Sequence, residues 1–365
     1  MVGTRGPLRV GIVGLGRIYD LCILGYRDND DAEVVALCDP DPTRRAERGV
    51  EWPGARQVAS LDDLLALDLD LVEVLVPTPA HCDVVSRCLE AGFDVHVQKP
   101  MANSLEEADR MLAARDAAGR RLRVQENFIF YPPLVKLKAI VESGEIGEPV
   151  GLYMKMTGTG VGGWEVPIES WIWQLEQTAA GRGILMFDDG WHKFSVARWL
   201  FGDVEEVQAM VGSTRAHPDY DVFMDAPSAV MWRHTNGVQG VFEINLAPDM
   251  VMPSSYYTND ERFEVTGRKG FVRVNHCTSR GLQAPSLEVY RDGELRQYHA
   301  LDDDWGASFR DQTRHALGVF RTGEGDLLWN GEDARKVLAF NLAAIEAGGT
   351  HATVNVDEFA SRSRS

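Results

Sequence analysis

"LRVGIVGLGRIYD", residues 8–20, opens with an apolar run, turns through Gly14 and Gly16, and continues in a helix-compatible pattern. A short apolar run of this kind reads as a buried parallel strand. Glycines at its end permit a tight turn and let an anionic ligand approach the backbone N–H groups at the entrance of the next helix. The next strand-like run, "EVVALCD" (33–39), ends on Asp39, about 20 residues beyond the turn. An acid there can accept hydrogen bonds from ribose hydroxyls, which favours NAD(H) over the extra phosphate of NADP(H). A lone glycine pair would be weak support, but strand, turn, helix, strand and acid in this order define a dinucleotide site. One position departs from the pattern. Tyr19 stands where a third glycine would let helix and strand pack closely, so either the helix stands off or the ring points elsewhere and lines the cofactor crevice. Arg44 and Arg45 follow Asp39 and could in principle meet a 2′-phosphate.

Further strand-like runs follow at "LVEVLVP" (71–77), "DVHVQKP" (94–100) and "RLRVQEN" (121–127). Helical patterns separate them, among them "HCDVVSRCLEAG" (81–92) and "LEEADRMLAARDAAG" (105–119). Such alternation builds an α/β domain, a doubly wound parallel sheet of the Rossmann type, over residues 1–125. Beyond about residue 150 the grammar changes. "WRHTNGVQGVFEI" (232–244), "RFEVTGRKGFVRV" (262–274) and "LEVYRDGELRQYH" (287–299) each place a Gly-containing turn between two strand-like runs. These are hairpin signals, and Asn-Gly and Asp-Gly suit the positive φ of tight turns. Residues 126–365 therefore read as an α+β domain with an open, mainly antiparallel sheet. Helices are expected around 184–201 and 306–321, and over "EDARKVLAFNLAAIEAG", ended by Gly348.

The chain has 365 residues, room for two cores, and its 44% hydrophobic and 25% charged composition is that of a globular protein. A net charge of −18 repels phosphate backbones and argues against general nucleic-acid binding. Cys22, Cys38, Cys82, Cys88 and Cys277 are odd in number and contain no Cys-x-x-Cys pair, which points to free thiols in a reducing cytoplasm. Glycines and flanking arginines make the N-terminal apolar segment a strand and turn rather than a signal peptide, and no run is long enough to span a membrane.

Chemistry-bearing residues gather in a few places. In "DVHVQKPMAN" (94–103), Pro100 keeps Lys99 out of the helical region. Lys99 thus stands at the carboxyl end of a parallel strand, where doubly wound sheets hold ligands. In "GRGILMFDDGWHKFSVARWLFG" (181–202), Asp188 and His192 are spaced to share one helix face. They are either a self-satisfied pair pinning helix to sheet or a catalytic couple; neighbouring Asp189 is expected to face solvent or a helix-end amide. "GGWEVPIESWIWQLEQ" (162–177) carries Trp164, Trp171 and Trp173, whose indoles can stack on sugar rings or serve as core or interface residues. Lys155 could reach a substrate cleft or lie on a strand surface, and Asn127 could touch cofactor or substrate or merely form a turn. Pro77, Thr78 and His81 follow a strand at a point where backbone groups can meet ribose and diphosphate; His81 could instead cap the next helix. The remaining histidines lack metal-ligand spacing, so no metal is assigned, and no Gly-x-Ser-x-Gly elbow suggests hydrolysis.

Taken in order, "VGIVGLGRI", "VLVPTPAH", "AGFDVHVQKPMANSLEEA", "GEIGEPVGLYMKM", "GRGILMFDDGWHKFSVARWLFGDVEEVQA" and "FEVTGRKGFVRV" resemble the Gfo/Idh/MocA family of NAD(P)-dependent oxidoreductases over nearly the whole chain. The resemblance implies a catalytic centre of Lys99, Asp188 and His192, which would also contact substrate along with Asn127, Lys155, Trp164 and Trp173. It implies cofactor contacts from Gly14, Gly16, Arg17, Ile18, Asp39, Pro77, Thr78, His81, Gln98 and Lys99. The family usually has Glu-Lys-Pro where this chain has Gln98-Lys99-Pro100, so one supporting negative charge is absent. The activity implied is NAD(H)-dependent oxidation of a secondary hydroxyl on a sugar, glycoside or cyclitol, with NADP(H) the lesser alternative. The cofactor takes the hydride and the protein takes the proton. A lysine is a poor base at an ordinary pKa of about 10.4 unless burial beside cations lowers it; His192 is the rival base, with Asp188 fixing its tautomer or binding a hydroxyl. Two other readings share the site: a redox-neutral epimerase, lyase or glycoside-cleaving enzyme with tightly held NAD, and a non-catalytic nucleotide- and sugar-sensing regulator. An open sheet of this kind also implies a homodimer or homotetramer.

Overall fold

The computed structural model describes residues 6–164, 174, 183–216, 223–279 and 283–362. They form two compact units. One comprises the chain up to Asn127 with Gly306–Leu338; the other comprises Phe128–Trp305 and the chain from Ala339 onward.

The first unit holds six parallel strands: β1 (Leu8–Val13), β2 (Ala32–Cys38), β3 (Arg56–Val58), β4 (Leu71–Val74), β5 (Asp94–Val97) and β6 (Leu122–Val124). Their order is β3-β2-β1-β4-β5-β6. It reverses direction at β1, where sheets of this kind open a crevice for a nucleotide. Every residue of β4 and β5 is buried, as helices on both faces require. Local chemistry sets the helix ends. Asp41 accepts from the Thr43 N–H ahead of Pro42, Ser104 accepts from the Glu107 N–H, and Gly119 closes its helix at φ 61°. The edge strand β3 was not anticipated from sequence: two of its three residues are exposed, so it carries no apolar signature.

A single boundary near residue 125 misses a return of the chain. Residues 306–338, expected in the second domain, pack with the first. The physical reason lies in β6. Arg121 donates to the Val319 carbonyl, Arg123 to that of Leu328 and the Glu126 N–H to Gln312, each at 2.8 Å. Buried polar groups need such partners, and here the helix Trp305–Thr322 and the segment after it supply them.

In the second unit the described strands are β7 (Pro149–Val161), β8 (Val204–Val211), β9 (Thr214–Arg215), β10 (Phe223–Met224), β11 (Ser228–His234), β12 (Gln239–Val251), β13 (Asn259–Gly267), β14 (Gly270–Val274), β15 (Leu287–Arg291), β16 (Glu294–Tyr298) and β17 (Val354–Asn355). Nine of them form one sheet, β16-β15-β14-β13-β7-β12-β11-β8-β17, antiparallel except where β7 pairs with β12. The anticipated hairpins are present. Asp292 and Gly293 both have positive φ, 53° and 86°, at the β15–β16 turn, as a type I′ turn demands. Side chains alternate across this sheet. Met154, Met156, Phe242, Ile244 and Phe263 are buried on one face, and the helix Gly190–Phe201 packs there, its Phe194 ring meeting Trp232 and Phe242 edge-on. The other face carries Tyr153, Lys155, Met231, Arg262 and Arg273, with ion pairs such as Arg273–Glu264. The final long helix, Gly331–Thr350, runs on past Gly348. Among the described residues no helix is long and apolar enough to cross a membrane.

Candidate active site

In the first unit, the chain leaves β1 through Gly14, whose φ of 90° excludes most side chains. A β-carbon there would also lie 2.8 Å from the Leu75 carbonyl group, whereas at Gly16 it would meet nothing within 4 Å. The turn is thus packed on one side and open on the other, as approach of a diphosphate requires. Asp39 is buried and ties this turn to the end of β2. One carboxylate oxygen accepts from the Leu15 N–H and the other from the Asp41 N–H, both at 2.9 Å. Each oxygen keeps a further lone pair for a ribose hydroxyl. Arg17, half a turn beyond, is exposed and pairs with Asp20, and Ile18 leads the short helix Tyr19–Cys22.

Tyr19 is fully buried, and its ring points elsewhere. The Trp52 indole N–H donates to its hydroxyl at 2.7 Å, and Arg48 lies 4.7 Å over its face. Burial pushes the phenol well above its ordinary pKa. The position of the missing third glycine is therefore taken by an aromatic plug between the first helix and the residues after β2. Arg44 and Arg45 are engaged locally: Arg45 donates to the Asp39 carbonyl at 2.6 Å, and Arg44 lies 3.9 Å from the Asp39 carboxylate.

Pro77 is exposed and Thr78 buried at the turn after β4. His81 is buried, with one ring nitrogen 2.9 Å from the Val76 carbonyl and the other 2.9 Å from that of Pro100. It fastens the loop after β4 to the loop carrying Lys99. Lys99 stands two residues past the end of β5, and its N–H donates to the Gln98 side-chain oxygen at 2.8 Å.

Beneath Gln98 lies a buried polar chain that sequence reading missed. Gln98 donates to the Gln125 amide oxygen at 3.2 Å; Gln125 donates to Glu73, which also accepts from the Tyr26 hydroxyl at 2.5 Å and the His96 ring at 2.7 Å. Arg123 donates to the second His96 nitrogen at 2.5 Å. Glu73, His96 and Arg123 are register partners on β4, β5 and β6, which turns three strand residues into one row. Burial lowers the His96 pKa and keeps it neutral, so its two nitrogens bond as one donor and one acceptor. Asn127, three residues past β6, is buried and donates to Ser308 at 2.9 Å, so it holds the returning helix.

In the second unit, Asp188 lies in a wide π-helical turn, Ile184–Asp189, which runs into the helix Gly190–Phe201 carrying His192. Such turns recur at functional sites. Its start is built by Asp225, which accepts from the Leu185 and Met186 N–H groups at 2.7 and 2.8 Å. A β-carbon at Gly183 would collide with that carboxylate at 1.9 Å, which explains the glycine before the motif. Asn341 donates to the Phe187 carbonyl within the turn at 2.8 Å. Asp188 is half-buried and His192 buried. The His192 ring stacks on Phe128, centroids 4.4 Å apart and planes 26° from parallel.

Asp189 adds to the expectation, for it also pairs with a buried cation. It and Glu261 both accept from Lys193, each at 2.6 Å, and the Lys193 ammonium lies 5.0 Å over the Phe128 ring. Burial alone would lower this lysine's pKa, but the two carboxylates outweigh it and raise it above the ordinary range. Lys155 takes the second of its two expected places, on a strand surface. It lies on the opposite sheet face from His192's helix, paired with Asp260 at 3.2 Å, because Met154 and Met156 take the inner positions beside it. Trp164 is half-buried among Tyr256 and Tyr257. Trp171 and Trp173 lie outside the described residues.

The chain matches two family models. One, an oxidoreductase family NAD-binding Rossmann fold, covers residues 8–126; the other, a GFO/IDH/MocA C-terminal domain, covers residues 134–273. A D-apiose dehydrogenase of Paraburkholderia graminis is 28% identical over 90% of this chain and 84% of its own length. A myo-inositol 2-dehydrogenase of Thermotoga maritima is 26% identical over 96% of this chain and 99% of its own. The crystal structure of an oxidoreductase from Agrobacterium radiobacter, in complex with NAD+, L-tartaric acid and magnesium, superposes with a TM-score of 0.79 at 22% identity, covering 96% of this chain and 99% of that one. Fold and glycine turn thus define an NAD-binding oxidoreductase. The chain belongs to the Gfo/Idh/MocA family.

Proposed function

We propose that the protein is an NAD(H)-dependent dehydrogenase that interconverts a secondary alcohol and a ketone on a sugar, glycoside or cyclitol ring. The observation that carries the reading is Lys99 at the carboxyl edge of the nucleotide-binding sheet, its backbone held by Gln98. Relatives named for apiose and inositol oxidation support the substrate class. NAD(H) is favoured over NADP(H) because the Asp39 carboxylate closes the end of β2 and the nearby arginines are already engaged.

Bound nicotinamide supplies the hydride acceptor and donor. Gly14 and Gly16 admit the diphosphate, Asp39 accepts from the ribose, and the loop around Pro77 and Thr78 lines the same edge, with Arg17 and Ile18 at the helix entrance. Lys99 and His192 hold and move the hydroxyl proton, and Asp188 orients His192 or a substrate hydroxyl. In the reductive direction the same groups polarise the carbonyl oxygen and return the proton to it. Five free, buried cysteines fit a cytoplasmic setting.

The outer face of the nine-stranded sheet leaves Met210, Met231, Tyr153, Tyr290 and Leu295 exposed, which supports a homodimer or homotetramer. Light scattering at one chain mass would contradict that. For the activity, sugars, glycosides and inositols are to be screened with NAD⁺ and NADP⁺ by nicotinamide absorbance. Reduction of NAD⁺ by at least one ring alcohol is expected, and none by any would overturn the reading.

A further inference from the structure

Four aromatic side chains in the second unit close on one another. Trp164 meets Tyr256 and Tyr257 at centroid distances of 5.7 and 5.5 Å, and Trp305 meets the same two at 5.4 and 5.9 Å. Three of the four contacts are edge-on and the Tyr256–Trp305 contact is tilted, so the rings brace one another without stacking their faces together. Trp305 is buried and continues inward to Phe128 at 6.3 Å, the ring on which His192 stacks. Trp164, Tyr256 and Tyr257, by contrast, are half-buried. An unbroken aromatic row therefore runs from the candidate base to a partly exposed set of rings.

That set is held in place. A β-carbon at Gly163 would lie 2.2 Å from the Tyr256 carbonyl, and one at Gly162, at φ 117°, would lie 2.3 Å from that of Met252. The two glycines let the end of β7 press against the segment after β12, and the Trp164 N–H then donates to the Tyr256 carbonyl at 2.8 Å. Ser254 accepts from the Tyr256 N–H and donates to the Thr278 carbonyl, while the Tyr256 hydroxyl donates to Asp304 at 2.7 Å. Backbone and side chain are fixed before any ligand arrives, so little ordering cost falls on binding. Rigid, half-exposed indole and phenol rings suit the C–H face of a sugar or the face of an aryl group.

We propose that Trp164, Tyr256 and Tyr257 form a second ring-binding subsite, joined to His192 through Trp305 and Phe128, and that the substrate is a glycoside whose reacting sugar carries another ring, a second sugar or an aryl group, through its glycosidic oxygen. The choice of reacting ring rests on the dehydrogenase reading; binding at the subsite does not.

The test titrates the full-length protein, with saturating NAD⁺, by calorimetry against paired methyl and phenyl glycosides of the common hexoses and pentoses and against cellobiose, while NADH is followed in the same solutions. For at least one sugar, the ring-bearing partner is expected to bind about tenfold more tightly than the methyl glycoside. Trp164→Ala is expected to bring that ratio near one, while Trp164→Phe keeps most of it; Tyr257→Leu serves if Trp164→Ala does not fold. A wild-type ratio near one for every sugar, no binding by any glycoside, or a ratio intact in Trp164→Ala overturns the proposal. Selective binding without NADH leaves the subsite standing and removes the dehydrogenase reading. NADH formed equally from methyl and ring-bearing partners does the reverse.

Discussion

The imidazole of His192 lies flat against the ring of Phe128, 4.4 Å from centroid to centroid. Phe128 is buried and also sits under the Lys193 ammonium. One aromatic ring thereby fixes the plane of the candidate base. Phe128→Leu keeps the apolar volume but removes the flat surface. It is expected to cost about 1–2 kcal/mol of stability and to lower kcat about tenfold by misorienting His192. Denaturant midpoints and initial rates on a confirmed substrate check both; full activity in a folded Phe128→Leu protein would remove the positioning role.

Gln98 works here as an amide. Its N–H reaches the Gln125 oxygen while its own oxygen takes the Lys99 N–H. A carboxylate at 98 would face the Gln125 oxygen, and turning Gln125 round would set its oxygen against Glu73. Gln98→Glu, though it restores the residue usual in the family, is expected to cost about 1–3 kcal/mol and to reduce turnover. A more active Gln98→Glu enzyme, measured beside Gln98→Ala, would contradict the network.

Lys193 pairs with Asp189 and Glu261 in a buried triad. Lys193→Met leaves two carboxylates without their cation and is expected to cost about 3–5 kcal/mol. Because the folded-state pKa is raised, the unfolded chain releases this proton first as pH rises. The stabilisation is therefore complete below about pH 10.4 and declines above it. Urea titrations between pH 8 and 11 should show that decline in the wild type and a smaller one in Lys193→Met.

His234 is a pH probe remote from catalysis. Its ring accepts from the Trp232 indole at 2.9 Å and lies 3.0 Å from the Gly202 carbonyl, and burial pushes its pKa down to about 4. On acidification the unfolded chain takes up this proton near pH 6.5, and the folded one only near 4. Stability contributed by neutral His234 is present above about 6.5 and is lost over that window, by roughly 3 kcal/mol at most. His234→Asn should flatten that part of the acid limb. An unchanged slope would show that the buried ring titrates normally.

Much of the architecture was legible because it is local. The glycine turn after β1, the acid ending β2 and the Asp-Gly turn at 292–293 each follow from backbone rules acting on a few adjacent residues. Edge strand β3 was not legible, since exposed Arg56 and Gln57 leave no apolar pattern. The site's supports were hidden for another reason. Asp225 caps a turn from 40 residues away, Glu261 reaches Lys193 across 68, and Phe128 meets His192 only after folding. The strand-surface place of Lys155 was legible, because the methionines on either side of it mark the inner face and alternation turns it outward.

The role proposed for Lys99 is transfer of the substrate's hydroxyl proton. Its most direct measurement is kcat/KM of Lys99→Met on a confirmed sugar substrate, taken beside NAD⁺ affinity by calorimetry. A fall of about 10²–10⁴ with NAD⁺ binding retained is expected. Turnover within about twofold of the wild type would remove Lys99 from the chemistry.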